Sequence, residues 1–185
     1  MGVSQVMPQS RRAVFLDRDG VLNEVVLHEG RPHPPASLAE FRIVSGAKES
    51  LADLKRLGFV LIVVTNQPDV ARGKQTKAVV EEMNSFLASR LPIDDTYVCY
   101  HDDVDHCECR KPAPGLLLDA ARMHGIELRE SFLIGDRWRD VEAGRRAQCK
   151  TLYINNSYCE QQPEITPTFK ANSLRSAVDW ILAHT

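Results

Sequence analysis

The sequence lacks any apolar run long enough to cross a lipid bilayer, which takes about 20 residues. Its polar first segment, residues 1–12, has no apolar centre of the kind found in a secretory signal peptide. No long basic run is present. The net charge is −2 and acidic and basic residues are interspersed, so the sequence shows no charge pattern typical of nucleic-acid or membrane binding. We therefore expect a cytoplasmic protein that binds neither nucleic acid nor membranes, with residues 1–12 flexible.

Internal repeats and low-complexity tracts are also absent. A chain of 185 residues with 43% hydrophobic residues is long enough for one well-buried core and too short for two full domains. We predict a single domain over residues 1–185 that acts as a monomer. The five cysteines are an odd number, and three of them lie between residues 99 and 109, which favours a metal site over a disulfide framework.

The sequence does contain an alternation of short apolar runs with amphipathic segments. Five strands are predicted, at residues 13–16, 59–64, 96–100, 131–134 and 151–154, and five helices, at 45–57, 76–91, 114–124, 140–147 and 174–182. This alternation predicts an α/β fold, a Rossmann-like doubly wound parallel sheet with helices on both faces. The proline-rich stretch 23–40 is predicted to be an ordered surface loop without helix or strand.

Polar side chains follow three of the predicted strands at their carboxyl ends. Asp17 and Asp19 leave the first strand on the same side, since side chains in a strand repeat every second residue. Thr65 and Asn66 follow the second strand, and Asp136 follows the fourth. Ligands of such sheets bind beyond this edge, and crowded carboxylates suit a bound cation or a pair in which one attacks and the other moves a proton. The alternative is that Asp17 and Asp19 form a solvated acidic turn, and that Thr65 and Asn66 only cap the turn after the second strand.

Four short motifs occur in a fixed order, and together they resemble those of the haloacid dehalogenase-like phosphatase superfamily, from residue 13 to about residue 154. The motifs are Asp17-Arg18-Asp19-Gly20, Thr65-Asn66, Arg110-Lys111-Pro112 and Gly135-Asp136 with Asp140. The resemblance implies a phosphatase that needs Mg²⁺ and acts on a small phosphorylated metabolite. It also implies no large cap domain, because no insertion after a motif is long enough.

The acids take distinct roles by this resemblance. Asp17 is the nucleophile that forms an aspartyl-phosphate, and Asp19 protonates the leaving group and then activates water. The expected ligands of Mg²⁺ are Asp17, the main-chain carbonyl of Asp19 and Asp136. Asp140 either holds a metal-bound water or orients Lys111. Considered alone, Asp140 is equally a favourable charge at the start of a helix.

The remaining motif residues are expected to bind substrate. Thr65 and Asn66 donate hydrogen bonds to phosphate oxygens, Lys111 offsets the charge shared by the phosphate and Asp17, and Arg110 contacts the substrate beyond its phosphate. Considered alone, Lys111 is equally an ordinary surface lysine. The combination at one edge of the sheet favours the phosphatase over these separate explanations.

A second cluster lies in the loop 99–109. Its three thiols and one imidazole, from Cys99, His101, Cys107 and Cys109, fit a closed tetrahedral structural zinc site, with His106 as a competing ligand. The alternative is a loop of reduced residues without metal. A zinc ion here would fasten the loop that carries Arg110 and Lys111.

The predicted zinc loop leads into Cys-Arg-Lys-Pro, and this combination resembles the D-glycero-D-manno-heptose 1,7-bisphosphate phosphatases in particular. The related histidinol-phosphate phosphatases share the motifs. This implies removal of the 7-phosphate from a sugar bisphosphate. The alternatives are another phosphomonoester, such as histidinol phosphate, or a catalytically silent binder. The chain departs from the family in Pro68-Asp69-Val70 and in a short loop with Asp102, Asp103 and Asp105. These three acids are expected to repel a second phosphate.

Overall fold

Strands and helices alternate through residues 10–156 and 162–185, the part of the chain that the computed structural model describes. The strands are β1 (Ala13–Leu16), β2 (Val26–His28), β3 (Arg31–His33), β4 (Val60–Asn66), β5 (Asp95–Cys99), β6 (Phe132–Gly135), β7 (Lys150–Ile154) and β8 (Phe169–Ala171). The helices are α1 (Ala47–Arg56), α2 (Lys77–Arg90), α3 (Gly115–His124), α4 (Trp138–Arg146) and α5 (Leu174–Ala183).

The main sheet has six parallel strands in the order β5-β4-β1-β6-β7-β8. Val14 of β1 lies opposite Leu61 of β4 on one side and Phe132 of β6 on the other. The chain builds outward from β1 to β4 and β5 first, and then returns to place β6 on the other side of β1. The order therefore reverses at β1, and a crevice is expected beyond its carboxyl end. The predicted α/β class is confirmed.

The strand β1 is apolar at every position because both of its faces are buried. Val14 and Leu16 belong to the core formed with α1, α2 and α5, whereas Ala13 and Phe15 belong to the core formed with α3 and α4. All four side chains are fully buried. The polar residues that follow β1 are therefore held at the end of a strand that is buried on both faces.

The prediction of a loop without strands over residues 23–40 is wrong in part, because β2 and β3 pair there as an antiparallel hairpin. The turn between them has φ of 52° at Glu29 and 75° at Gly30, which matches the twist of a two-residue hairpin. Pro32 is tolerated because both strands of a two-stranded hairpin are edges. The strand β8 was also not predicted, since three residues are too few to show a period.

Arg11 and Arg12 are held by backbone hydrogen bonds, contrary to the predicted flexible segment 1–12. The amide of Arg11 donates to the carbonyl of Gly125 (3.0 Å), its carbonyl accepts from Glu127 (2.8 Å), and the carbonyl of Arg12 accepts from Val60 (2.9 Å). Residues 1–9 lie outside the described part of the chain.

Within the described ranges, no helix is long and apolar enough to span a membrane. The same residues contain no insertion large enough to form a cap domain over the sheet edge.

Candidate active site

Lys111 lies at the centre of the site and is almost fully buried, with 2% of its surface exposed. Its Nζ contacts Asp17 Oδ1 at 2.8 Å, Asp140 Oδ1 at 2.6 Å and the carbonyl of Val64 at 2.8 Å. The contacts with Asp17 and Val64 are hydrogen bonds, and the contact with Asp140 is an ion pair. Burial alone would lower the pKa of Lys111, but the charges of Asp140 and Asp17 more than offset it, and the net pKa is raised. Lys111 is therefore a buried cation, and the explanation as a surface lysine is wrong.

Asn66 fixes the main chain of Lys111 from the end of β4. Its Nδ2 donates to the Lys111 carbonyl and its Oδ1 accepts from the Lys111 amide, both at 3.0 Å. This reciprocal pair was not predicted, since the sequence motif suggested a contact with phosphate only. It connects the carboxyl end of β4 to the loop that carries Arg110 and Lys111.

Asp140 forms a close ion pair with Lys111, as expected if it orients this lysine, which is one of its two predicted roles. Its Oδ2 accepts a hydrogen bond from the amide of Arg137 at 3.0 Å, so the carboxylate is held at the first turn of α4. A Cβ at Gly135 would lie 2.3 Å from the Asp140 carboxyl carbon. Only a glycine at the end of β6 allows this close approach.

Three buried carboxylates, those of Asp17, Asp136 and Asp140, each offer an oxygen within 4.8 Å of the others. Burial raises the pKa of Asp17 to about 6 although Lys111 opposes it, and burial with the charge of Asp17 raises the pKa of Asp136 well above its ordinary value. Asp136 Oδ1 is buried and accepts no hydrogen bond from the described residues, with Arg137 Nε 3.5 Å away. A buried, unpaired carboxylate oxygen is costly, and a hard cation satisfies it. The donor set therefore fits Mg²⁺.

Gly20 leaves space for Asp136. Its φ is +87°, and a Cβ there would lie 2.0 Å from Asp136 Oδ2. Asn156 Nδ2 donates to the Gly20 carbonyl at 2.9 Å and lies 3.3 Å from the same carboxylate oxygen. Gly20 is thus required both by the turn and by the close approach of Asp136, which follows β6.

The carboxylate of Asp19 lies outside this acidic group and is held by three donors. Arg18 Nη2 (3.0 Å), Asn23 Nδ2 (3.0 Å) and Gln67 Nε2 (2.7 Å) all donate to it. Burial raises the pKa of Asp19, but the charge of Arg18 and the donated hydrogen bonds outweigh it, so the net pKa lies below the ordinary value. This leaves the main-chain carbonyl as the group through which Asp19 could reach a metal, as the resemblance implied.

Arg18 and Gln67 were missed as site residues. Arg18 is fully buried between the two acids of its motif, and its Nη1 donates to Asn84 of α2 at 2.9 Å. Gln67 is 3% exposed and donates to Thr65 Oγ1 at 2.9 Å as well as to Asp19. In the sequence, only their position next to predicted site residues pointed to a role for them.

A cavity of about 450 Å³ opens above these groups. Asp17, Asp19, Thr65, Lys111 and Asp140 are among the residues that line it. The lining also contains five further basic side chains and two further acids, which are Arg72, Lys74, Arg110, Arg137, Arg139, Asp69 and Asp103. The size suits a small metabolite, and the charge favours an anionic one.

Arginines pair with Asp102 and Asp103, two of the three acids expected to repel a second phosphate, and this pairing offsets their charge. Arg72 donates to Asp102 at 2.7 and 2.5 Å. Asp103 accepts from Arg110 Nε at 2.9 Å and from Arg139 Nη1 at 3.0 Å. Arg110 is nine-tenths buried, and its Nη1 has no hydrogen-bond partner among the described residues. The loop thus presents a guanidinium to the cavity with one donor group left for a ligand.

The four predicted zinc ligands do come together. Cys109 Sγ lies 3.1 Å from Cys99 Sγ, 3.5 Å from Cys107 Sγ and 3.3 Å from His101 Nδ1. Sulfur ligands about 2.3 Å from a tetrahedral zinc lie roughly 3.8 Å apart, so slight expansion would admit the ion. His106 lies outside this group. Buried Cys149 also lies outside it, and Cys159 falls outside the described residues.

The fold and the site together define the class of protein. A parallel sheet with a nucleophile-type acid at its switch point, a buried lysine from a later loop and paired acids after β6 is the arrangement of the haloacid dehalogenase-like phosphatases. Among family models, the one described as HAD-hydrolase-like matches residues 108–177.

Relatives narrow this class. A D-glycero-β-D-manno-heptose-1,7-bisphosphate 7-phosphatase of Helicobacter pylori (strain J99) is 35% identical over 183 residues, which cover 95% of this chain and 99% of the relative. The enzyme of the same name from Escherichia coli (strain K12) is 34% identical over 188 residues, covering 95% and 91%. The chain therefore belongs to the family of the D-glycero-β-D-manno-heptose-1,7-bisphosphate 7-phosphatases.

A solved structure agrees with this membership. The D,D-heptose 1,7-bisphosphate phosphatase of B. bronchiseptica, crystallised with magnesium and phosphate, superimposes with a TM-score of 0.80 at 26% sequence identity, covering 94% of this chain and 99% of that one. The predicted phosphatase class is confirmed, and haloacid dehalogenase-like phosphatases use Mg²⁺.

Proposed function

We propose that the chain removes the 7-phosphate from D-glycero-β-D-manno-heptose 1,7-bisphosphate. The observation that carries this proposal is the lining of the cavity, which brings the acids and Lys111 of the reacting centre together with five further basic side chains. A substrate with phosphates at both ends would place one at the reacting centre and the other near Arg110. The names of the relatives supply the sugar and favour the β anomer.

In the first step, a carboxylate oxygen of Asp17 attacks phosphorus and the bond from phosphorus to the sugar oxygen breaks. The leaving oxygen takes a proton from Asp19, which has to gain that proton when substrate binds, because Arg18 and the donated hydrogen bonds hold its pKa below the ordinary value in the free protein. Lys111, held between Asp17 and Asp140, offsets the negative charge that gathers as nucleophile and phosphate meet. Mg²⁺, held by Asp17, Asp136 and the Asp19 carbonyl, would supply further positive charge there.

In the second step, water attacks the aspartyl-phosphate and gives its proton to the Asp19 carboxylate. The bond from phosphorus to Asp17 breaks, and both acids return to their starting states. Thr65 accepts a hydrogen bond from Gln67, so its own hydroxyl hydrogen is left for a phosphate oxygen. Asn66 has a second amide hydrogen that can serve the same group, besides the one that holds Lys111.

Phosphate release with Mg²⁺ across a substrate panel tests this function. The panel holds both anomers of the heptose bisphosphate, fructose 1,6-bisphosphate, histidinol phosphate and several sugar monophosphates, with Asp17→Asn as the inactive control. We expect a clear preference for the β-heptose bisphosphate. Preference for histidinol phosphate or a monophosphate would replace the substrate, and no release from folded protein would indicate a silent binder.

Arg110→Met tests the role of the basic side chains that line the cavity. We expect KM for the heptose bisphosphate to rise about 10- to 100-fold, because a charge-assisted hydrogen bond is worth about 1.5–3 kcal/mol. KM for a heptose monophosphate should change much less. The control is Arg145→Met on α4, where the arginine pairs only with Glu142 in the described structure. An equal rise for both substrates would argue against a second phosphate at Arg110.

We also propose that Cys99, His101, Cys107 and Cys109 hold one structural zinc ion per chain. Elemental analysis of protein prepared without chelators should find about one zinc per chain that survives dialysis. Cys109→Ser should lose the zinc and most of the activity, because the loop no longer presents Arg110 and Lys111. Cys149→Ser, at a buried cysteine outside the cluster, should keep both. Fresh wild-type protein without zinc would remove this proposal.

We infer further that the chain is one domain and acts as a monomer in the cytoplasm. A cluster of metal-binding thiols suits a reducing compartment. Light scattering coupled to gel filtration would test the monomer, and a dimer mass would contradict it.

A further inference from the structure

Gln67 is the only described residue that hydrogen-bonds both to the acid Asp19 and to Thr65. Its Nε2 lies 2.7 Å from Asp19 Oδ2 and 2.9 Å from Thr65 Oγ1, so both amide hydrogens are used. The side chain is 3% exposed. Its main-chain amide donates to the carbonyl of Cys99 at 2.7 Å, which fixes the backbone from which the side chain reaches.

The orientation of this amide follows from electrostatics. Turning the amide over would place its oxygen against the carboxylate of Asp19, so only the arrangement with nitrogen toward Asp19 is favourable. Thr65 Oγ1 must then accept from Gln67. The hydroxyl hydrogen of Thr65 is thereby directed to another acceptor, and the side chain lines the cavity.

The other partners of Asp19 do not have this double contact. Arg18 binds Asp19 and Asn84, and Asn23 binds Asp19 and the main chain of Glu24. Arg18 is a fully buried charge, and removing its partner or the arginine itself would leave an uncompensated ion. Gln67 is neutral, so a substitution that removes its hydrogen bonds breaks no ion pair.

We propose that Gln67 is a positioning residue that fixes the proton-transferring Asp19 relative to Thr65 and the phosphate that Thr65 binds. The inference rests on the proposed phosphoryl transfer to Asp17. Proton delivery requires Asp19 to lie within hydrogen-bond reach of the leaving oxygen, and small displacements of a catalytic group cost large factors in rate. Gln67 itself does not contact the reacting atoms.

The test is the dependence of the rate on the leaving group in Gln67→Met. The substrates are p-nitrophenyl, phenyl and benzyl phosphate, which have similar rings but need a proton on the leaving oxygen to increasing degrees. We expect kcat/KM to fall about 100-fold for benzyl phosphate and by no more than about threefold for p-nitrophenyl phosphate, since general acid catalysis contributes 10²–10⁴ in rate. Asp19→Asn should show the same trend with a larger amplitude.

The ratio of rates on two substrates is independent of how much of the variant is folded, because both rates come from one preparation. The matched control is Gln75→Met, where the side chain donates to the Ala36 carbonyl and accepts from the Thr76 amide, and its ratio should equal that of wild type. Equal losses on all three substrates, or no loss, would overturn the positioning role. A wild-type protein that releases phosphate neither from these esters nor from the heptose bisphosphate would instead refute the proposed function.

Discussion

Asp17→Asn should abolish turnover while the protein stays folded. The variant cannot form the aspartyl-phosphate, and removal of a catalytic nucleophile typically costs about 10⁴-fold or more. Acid quenching during turnover with substrate labelled in the reacting phosphate should trap a labelled wild-type protein and an unlabelled variant. Full activity in the variant, or equal labelling, would refute Asp17 as the nucleophile.

The same variant should be more stable than wild type in the absence of Mg²⁺. The pKa of Asp17 is about 6 in the folded protein and ordinarily 3.8, so the folded state holds this proton more tightly than the unfolded state. Stability is therefore lost as pH rises from about 4 to 6, and roughly 3 kcal/mol stays lost at higher pH. Asn carries no charge and avoids this penalty.

Thermal unfolding in EDTA between pH 4 and pH 8 measures this effect. The midpoint of Asp17→Asn should exceed that of wild type by several degrees at pH 7.5 and should match it near pH 4. Adding Mg²⁺ should close the gap, because the ion stabilises only the protein that keeps the carboxylate. A variant less stable than wild type at pH 7.5 would show that the carboxylate is not destabilising.

Much of the sheet could be predicted because its strands are buried on both faces. The run from Ala13 to Leu16 is apolar at every position, and such a run between turn signals is typical of a central parallel strand. The positions of Asp17, Thr65 and Asp136 then follow, since parallel strands present their carboxyl ends at one edge. The hairpin from Val26 to His33 could not be predicted, because its pairing depends on a two-residue turn in a proline-rich segment.

The contacts within the site were less accessible to sequence reasoning. The sequence suggested two roles for Asp140, and only the observed distance to Lys111 favours one of them. The acids of the short loop were expected to repel phosphate because their pairing with arginines was not foreseen. Two of these arginines, Arg72 and Arg139, lie far from the loop along the chain. Pairing between side chains distant in sequence depends on tertiary packing, which periodicity and motif spacing do not encode.

Lys111→Met should lose both activity and stability. Lys111 donates to Asp17 and the Val64 carbonyl and forms an ion pair with Asp140, and methionine keeps a similar length without charge or donor. Removing one partner of a buried ion pair typically costs about 3–5 kcal/mol, which corresponds to roughly 10 °C for a chain of this size. We expect kcat to fall about 10³-fold or more, because nothing then offsets the charge that builds between Asp17 and the phosphate.

Mg²⁺ affinity distinguishes this charge effect from general damage to the fold. Without Lys111 the acidic group is more negative, so calorimetric titration should show tighter Mg²⁺ binding in Lys111→Met than in wild type. The double variant Lys111→Met/Asp140→Asn removes one unpaired acid and should regain part of the thermal stability without regaining activity. Weaker Mg²⁺ binding in the single variant, or recovery of activity in the double variant, would show that Lys111 has another role than balancing these carboxylates.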